Sequence, residues 1–211
     1  MRFDVITIFP KIFDSYLGES LFKRAVKSGI VDVRVHDLRT YSSDTKHKKV
    51  DDKAFGGGPG MVVQVEPIYK AVQAIRRKKG KERVILFSTR GKKLDAKTAK
   101  RLTRYDRLIL ICGRYEGVDE RVAEHIADEE LSVGDYVLSG GEIPALARME
   151  TVSRFVPGFL GKYESLEDVK GSYPVYTRPE VFSPKRGTRW SVPKALMSGD
   201  HKRIAAWRKR T

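Results

Sequence analysis

Residues 108–117 read LILICGRYEG, a run of branched apolar side chains that passes without a break into a glycine-bounded polar loop. Four consecutive apolar residues are too few for a membrane span or an ordinary helix and fit a strand buried on both faces. The glycines directly after it mark the place where a ligand loop sits in an α/β protein. The same pattern recurs at residues 5–9, which Pro10 closes, and at 31–35 and 84–87. Between these runs lie helical stretches at 19–27, at 67–79 with Pro67 near its first turn, and at 95–103 with Asp95 as N-cap. Strand and helix alternate, which predicts an α/β domain: a mainly parallel sheet with helices on both faces, and ligands beyond the carboxyl ends of the strands. No internal repeat is present.

The chain of 211 residues is long enough for one domain of moderate size, or a main domain with a small appendage. With 42 Lys and Arg against 27 Asp and Glu, its net charge of +15 attracts polyanions and points to nucleic acid, with acidic lipid as the other class of partner. One cysteine, Cys112, and no Cys/His spacing suited to zinc fit a reducing cytoplasm. No apolar run approaches the length of a bilayer span, and the N-terminus lacks a signal-peptide core, so neither secretion nor a membrane is expected.

After residue 161 the texture changes. Residues 163–168 are acidic and polar, and the stretch beyond them is punctuated by Pro174, Pro179, Pro184 and Pro193 and reads as a linker. Residues 185–210 then hold nine Lys or Arg and a single acid, Asp200, with Trp190 and Trp207 interleaved. A basic tail with stacking aromatics suits RNA. A short helix at 200–210 that docks Ile204 and Trp207 on a core accounts equally well for Trp207.

Three glycine-rich segments carry the candidate chemistry. Residues 50–61, VDDKAFGGGPGM, match neither the P-loop, which needs Gly-Lys-Ser/Thr, nor the dinucleotide fingerprint, whose third glycine is replaced by Met61. Glycines here shape a loop, and Lys46, His47, Lys48, Lys49 and Lys53 beside it would let it close on a phosphate backbone; a solvated turn is the plainer reading. In the second segment Gly113 and Gly117 permit close approach, Tyr115 offers a stacking face, and Glu116 a carboxylate for hydroxyls or a cation. A tight strand-to-helix turn would need the same glycines. The third, residues 132–141, SVGDYVLSGG, cannot be regular helix or strand throughout and would present backbone groups to an adenine edge. Residues 143–156 then form a helix with Pro144 in its first turn. Leu146, Met149, Val152 and Val156 make its apolar stripe, and Arg154 falls opposite.

Taken in order, GGGPGM, CGRYEGVDERV, SVGDYVLSGGE, SRFVPGFLG and YTRPE resemble the bacterial tRNA (guanine-N1)-methyltransferase family of the trefoil-knot (SPOUT) class, and the likeness runs from residue 1 to about 208. The resemblance implies a homodimeric α/β domain with a C-terminal deep trefoil knot over residues 1–160, a flexible linker over 161–174, and a basic tRNA-binding segment over 175–211. That last segment is a small helical C-terminal domain, short against relatives that run on for a few dozen residues. It also implies S-adenosyl-L-methionine as methyl donor, and N1 of guanine 37 in tRNA, beside the anticodon, as acceptor, a modification that supports reading-frame maintenance.

By the same resemblance the donor is held by three loops: Leu86, Phe87, Ser88 and Thr89; Gly113, Tyr115 and Glu116; and Ser132, Val133, Gly134, Asp135, Tyr136, Val137, Leu138, Gly140 and Gly141, with Pro144 behind. Asp168 takes the place of the general base and Arg154 that of the arginine facing guanine O6. The active site is expected at the interface of the two subunits. Lys46, His47, Lys48, Lys49, Arg189, Lys202 and Arg203 are the candidate RNA contacts. Mg2+ is compatible with the family and with tRNA folding, and the sequence offers no ligand set for it. The linker departs from the family's pattern: it is shorter after Asp168, and Gly171, Ser172, Tyr173, Pro174 and Val175 replace a Leu-Leu-Asp-Cys-Pro-His run. Glu167 is therefore a second candidate base. A non-catalytic RNA-binding protein and a knotted enzyme for a ribose hydroxyl or another RNA are the alternative readings.

Overall fold

The computed structural model describes residues 1–77, 79–161 and 171–210, which fall in two compact units, Met1–Gly161 and Lys162–Thr211. The first unit is built on strand β1 (Arg2–Thr7), helices α1 (Asp14–Leu17) and α2 (Ser20–Lys27), β2 (Asp32–Asp37), and the short β3 (Asp51–Asp52) and β4 (Val62–Val63). It continues with α3 (Val65–Ile75), β5 (Glu82–Lys93), α4 (Ala96–Leu102), β6 (Arg107–Ile111), α5 (Arg121–His125), β7 (Glu129–Ser132) and α6 (Glu142–Ser153). Five strands form one wholly parallel sheet in the order β2-β1-β6-β5-β7. Val5 lies between Val35 and Leu110, and Leu110 in turn pairs with Ile85.

Side chains alternate along these strands, so each contributes to two cores. Phe3, Val5, Ile85, Leu108 and Leu110 point to one face, where Phe22 of α2, Ala99 and Leu102 of α4, and Met149 and Val152 of α6 cover them. Ile6, Val84, Leu86, Ile109 and Ile111 point to the other, under Ile68, Ala71 and Val72 of α3 and Val122 of α5. Burial on both faces is why 108–111 reads as an unbroken apolar run rather than an alternating one.

The caps explain where the helices begin. The Asp95 side chain accepts from the Thr98 amide at 2.6 Å and starts α4 where the sequence placed it. The expected helix over 67–79 stops at Ile75: Arg76 turns out of the helical region at ψ 145°, where a run of four like charges leads into Gly80. Helix α6 ends at Ser153, which makes Arg154 its C-cap.

Two polar groups inside the sheet layer were not legible as core. Asp4 is fully buried and accepts from both Arg2 nitrogens at 2.7 Å and from His36 Nε2 at 2.7 Å, with Arg107 Nε 3.3 Å away. Burial pushes its carboxyl up, but the bonds from His36 and Arg2 and the charges of Arg2 and Arg107 outweigh that and hold it below its usual value of 3.8. Arg148 sits on the buried stripe of α6, fully enclosed, and its guanidinium has no hydrogen-bond partner among the described residues. Desolvation draws it down to about 10.

The second unit is described by itself. A two-stranded antiparallel ribbon, β8 (Val181–Phe182) and β9 (Trp190–Ser191), precedes α7 (Lys194–Met197) and α8 (His201–Arg210). Asp200 caps α8 by accepting from the amides of Lys202 and Arg203. The Trp207 ring meets Tyr176 edge-on at 6.0 Å, and Arg208 lies over Tyr173 at 4.7 Å.

Two outcomes are expected. Arg148→Met removes a buried guanidinium that has no hydrogen-bond partner among the described residues and only the charges of Glu129 and Asp95 to favour it, and should raise the stability of the first unit by about 1 kcal/mol or more in urea titration. Asp4→Asn should lower stability by about 3 kcal/mol at neutral pH. Because the folded carboxyl lies below 3.8, its contribution is present above that pH and is lost as pH falls through the folded value, so the acid limb of the wild-type stability curve should flatten in the variant.

Candidate donor site

The carboxyl ends of β5, β6 and β7 open into a cleft of about 470 Å3, within the range of small-ligand pockets. Three segments line it: 86–90 from the end of β5, 113–118 from the end of β6, and 130–133 with 136–141 around and after β7; Pro144 of α6 closes the back. Of the donor residues expected from the sequence, Leu86, Phe87, Ser88, Thr89, Gly113, Tyr115 and Glu116 lie on this wall. So do Ser132, Val133, Tyr136, Val137, Leu138, Gly140, Gly141 and Pro144. Gly134 and Asp135 do not: Gly134 is covered by the Tyr136 ring, and Asp135 points out to an ion pair with Lys93.

The geometry depends on backbones approaching closely. The Gly141 amide donates to the Gly113 carbonyl at 2.9 Å, and a bridge joins Arg114 to Gly140, so the second and third loops are zipped together. A Cβ on Gly141 would stand 2.6 Å from the Cys112 Cα, inside any allowed contact. At the other wall a Cβ on Gly91 would stand 2.5 Å from the Leu131 amide nitrogen, where β5 breaks register and passes over β7. Tyr115 holds φ of 61°, a left-handed conformation that costs about 1 kcal/mol or more for a non-glycine residue.

Behind the loops lies Glu142, the first residue of α6 and 1% exposed. Its Oε1 accepts from Thr7 Oγ1 at 2.7 Å and its Oε2 from Arg114 Nε at 2.8 Å. Arg114 reaches on to the Ser139 carbonyl at 3.2 Å and stacks over the Phe9 ring at 4.8 Å. Cys112 is buried beside this carboxylate, and burial first, then Glu142, raises its thiol well above the usual value, so it is no nucleophile. Neither Glu142 nor Arg114 stood out in the sequence. An acid in the first turn of a helix, directly after Gly-Gly, was the available signal.

The cleft mouth carries Glu116, Glu120 and Glu130, with Arg90 on Glu120 at 2.7 Å. Carboxylates around aromatic and backbone surface suit a ligand with cationic groups and hydroxyls. The 50–61 loop is tied to this wall: the Glu116 amide donates to the Met61 carbonyl at 3.1 Å, and Val63 bridges Val118. On that loop Phe55 is fully exposed, and Lys46, His47, Lys48 and Lys49 lie on the exposed turn before it, where Asp44 accepts from the amides of Lys46 and His47.

Arg154 does not line the cleft. It pairs with Glu150 at 3.6 Å, and Glu150 also accepts from Tyr16 at 2.8 Å. Asp168 and Glu167 lie outside the described residues. Arg189, Lys202 and Arg203 belong to the second unit. Among the described residues no cluster of His, Cys, Asp and Glu could hold a metal ion, and no helix is long and apolar enough to cross a membrane.

A parallel sheet whose strand ends deliver three loops, two of them glycine-bearing, to one cleft defines an α/β protein of the class that binds a small nucleoside-like ligand at its carboxyl edge. The profile of the family described as tRNA (Guanine-1)-methyltransferase TrmD matches residues 1–211. The chain is similar to the tRNA (guanine-N(1)-)-methyltransferase of Geobacter sulfurreducens, at 45% identity over 99% of this chain and 85% of that one. It is also similar to the enzyme of that name from Methylacidiphilum infernorum, at 47% over 100% and 90%. The crystal structure of tRNA (m1G37) methyltransferase from Aquifex aeolicus superposes with a TM-score of 0.81 at 44% identity, covering 98% of this chain and 87% of that one. The chain belongs to the tRNA (guanine-N1)-methyltransferase family.

Truncating the tie behind the loops should be felt at both ends. Glu142→Ala is expected to cost about 2–3 kcal/mol in urea titration, the lower part of the range for a broken buried pair because Arg114 is partly exposed. Calorimetry should show weakened S-adenosylhomocysteine binding in the same variant; unchanged affinity would mean that Glu142 does not set the loop geometry.

Proposed function

We propose that this protein transfers a methyl group from S-adenosyl-L-methionine to N1 of guanine 37 in tRNA. The observation that carries the reading is the convergence of 86–90, 113–118 and 130–141 on one cleft, in a chain of this family. The cleft has the size for a nucleoside joined to an amino acid, backbone groups for an adenine edge, the Tyr115 and Tyr136 rings, and carboxylates for a cationic ligand. When bound, the donor supplies an electrophilic methyl group on a sulfonium. The three loops orient it, and the threaded path implied by the family has its natural place at the Gly91–Leu131 and Gly141–Cys112 approaches.

The acceptor needs more than position. Guanine N1 carries a proton and is a poor nucleophile until that proton leaves, and an aspartate with a pKa near 3.9 cannot remove it fully by itself. Asp168 acts as the base, and the Arg154 guanidinium meets the negative charge that grows on O6, so each makes the other's task easier. About 15 Å of helical rise separates Pro144, at the cleft, from Arg154 at the other end of α6. An arginine side chain does not span that distance. This supports an active site shared by two subunits, in which one protomer holds the donor and its partner offers Arg154. Exposed Ile143, Val137 and Tyr16 give such a contact apolar surface.

The basic second unit and the 46–49 turn hold the tRNA backbone, Mg2+ is compatible with the reaction and with tRNA folding, and the place of action is the cytoplasm. The test is incubation of the pure protein with labelled donor and transcripts carrying guanine or adenine at position 37. Label and a reverse-transcription stop are expected with guanine only; label without a stop would move the acceptor atom elsewhere. Asp168→Asn should keep S-adenosylhomocysteine affinity and lose most turnover, and Arg154→Ala should lower kcat by about 100-fold. Equal turnover in either variant would remove that residue from the mechanism.

A further inference from the structure

The two tryptophans of the second unit have different surroundings. Trp207 faces its own unit, edge-on to Tyr176. Trp190 is 63% exposed and stands directly opposite Phe182, itself 50% exposed, on the β8–β9 ribbon. Their ring centroids lie 5.6 Å apart at 52°, so each ring covers one side of its neighbour and leaves the other open. The turn between them closes by the Thr188 amide on the Lys185 carbonyl at 3.1 Å, with Gly187 at φ 82°. Lys185, Arg186 and Arg189 all belong to this turn and are exposed. Residues 181–199 contain four cations and no acid.

We infer that the Phe182–Trp190 pair is a stacking platform for an unpaired base of the tRNA substrate, with Lys185, Arg186 and Arg189 holding the adjoining phosphates. An exposed aromatic pair in water is a poor use of apolar surface unless something flat covers it. A purine or pyrimidine is flat, and its backbone brings the negative charge that the three cations of the ribbon's turn match. A paired helix hides its base faces, so the site selects a loop or a splayed nucleotide. The inference rests on tRNA being the substrate, but it concerns a surface that takes no part in the methyl transfer.

The experiment uses the full chain with Trp207→Phe, leaving Trp190 as sole tryptophan, and follows its emission during titration with tRNA, an RNA duplex without loops, and vesicles of anionic lipid. Emission should be quenched by tRNA and little affected by the duplex. Trp190→Ala should weaken tRNA binding about tenfold or more, the scale of one lost base–aromatic stack, with an unchanged slope of affinity against salt. Trp190→Tyr should recover most of the loss. Lys185→Ala with Arg186→Ala should instead lower the salt slope, by about 0.7 for each phosphate released. In all of these variants KM for tRNA should move while kcat and S-adenosylhomocysteine affinity stay put.

Equal tRNA affinity in Trp190→Ala, or emission indifferent to tRNA, would overturn the platform. So would emission that follows protein concentration, which assigns the rings to a second copy, or emission that follows lipid, which assigns them to a membrane. If the wild-type protein methylates guanine 37 while Trp190→Ala binds normally, the platform alone fails. If the wild type neither binds nor methylates tRNA, the functional reading fails with it.

Discussion

A carboxylate buried at the start of α6 must be neutralised where it stands, and Glu142 is neutralised by groups from two other parts of the chain. Thr7, at the end of β1, donates to one oxygen, and Arg114, in the loop after β6, donates to the other. Because Arg114 also holds the Ser139 carbonyl, the same pair fixes the loop that leads into α6. A charge in this position costs several kcal/mol if any partner moves away. The wall of the cleft is therefore set by the burial of one acid as much as by the loops that form it.

Close backbone contact is the second constraint, and it follows from the first. Once Arg114 is drawn back onto Glu142, Gly140 and Gly141 lie against Arg114 and Cys112 with no room for a side chain. The loop is then held without regular secondary structure and keeps its Tyr136, Val137 and Leu138 side chains toward solvent and the cleft instead of the core. Exposed apolar residues in a rigid, glycine-pinned loop are what a binding wall requires: surface to cover a ligand at small ordering cost on binding.

Much of this was legible in the sequence where local physics decides. The strand runs 84–87 and 108–112 are found within β5 and at β6, Asp95 caps α4, and the glycine segments after β6 and β7 converge on the cleft because strand ends of a parallel sheet lie side by side, whereas the 50–61 segment does not line it. What escaped depends on distant residues. Arg148 falls on the buried stripe of α6 although its type argues for solvent, and no periodicity announces a guanidinium enclosed without a partner. Glu142 looked like a first-turn acid, and only Thr7 and Arg114 make it a tie. Gly134 and Asp135 were expected at the donor site with their neighbours, which line the cleft, yet the Tyr136 ring and Lys93 turn them away from it.

The division of charge along the chain matches the division of labour proposed for it. Around the cleft the charged side chains are Glu116, Glu120 and Glu130 with Arg90 and Arg114, and both arginines are paired with carboxylates, Glu120 and Glu142, so the net positive charge of the chain is concentrated elsewhere. Dense cationic runs lie in the 46–49 turn, over 76–83 and over 185–210, and none of these contributes to the cleft wall. A donor with cationic groups and an acceptor with a phosphate backbone would repel one another's ideal sites if these were mixed. Keeping acids at the donor and bases on the RNA surface lets each ligand be attracted without weakening the other. Arg154, the cation proposed to face the acceptor base, is the exception: it stands at the far end of α6 from the acids of the cleft, held by Glu150. Within one protomer that separation protects the donor site from its charge, and in the proposed dimer it is the reason the second subunit brings the arginine to the reaction.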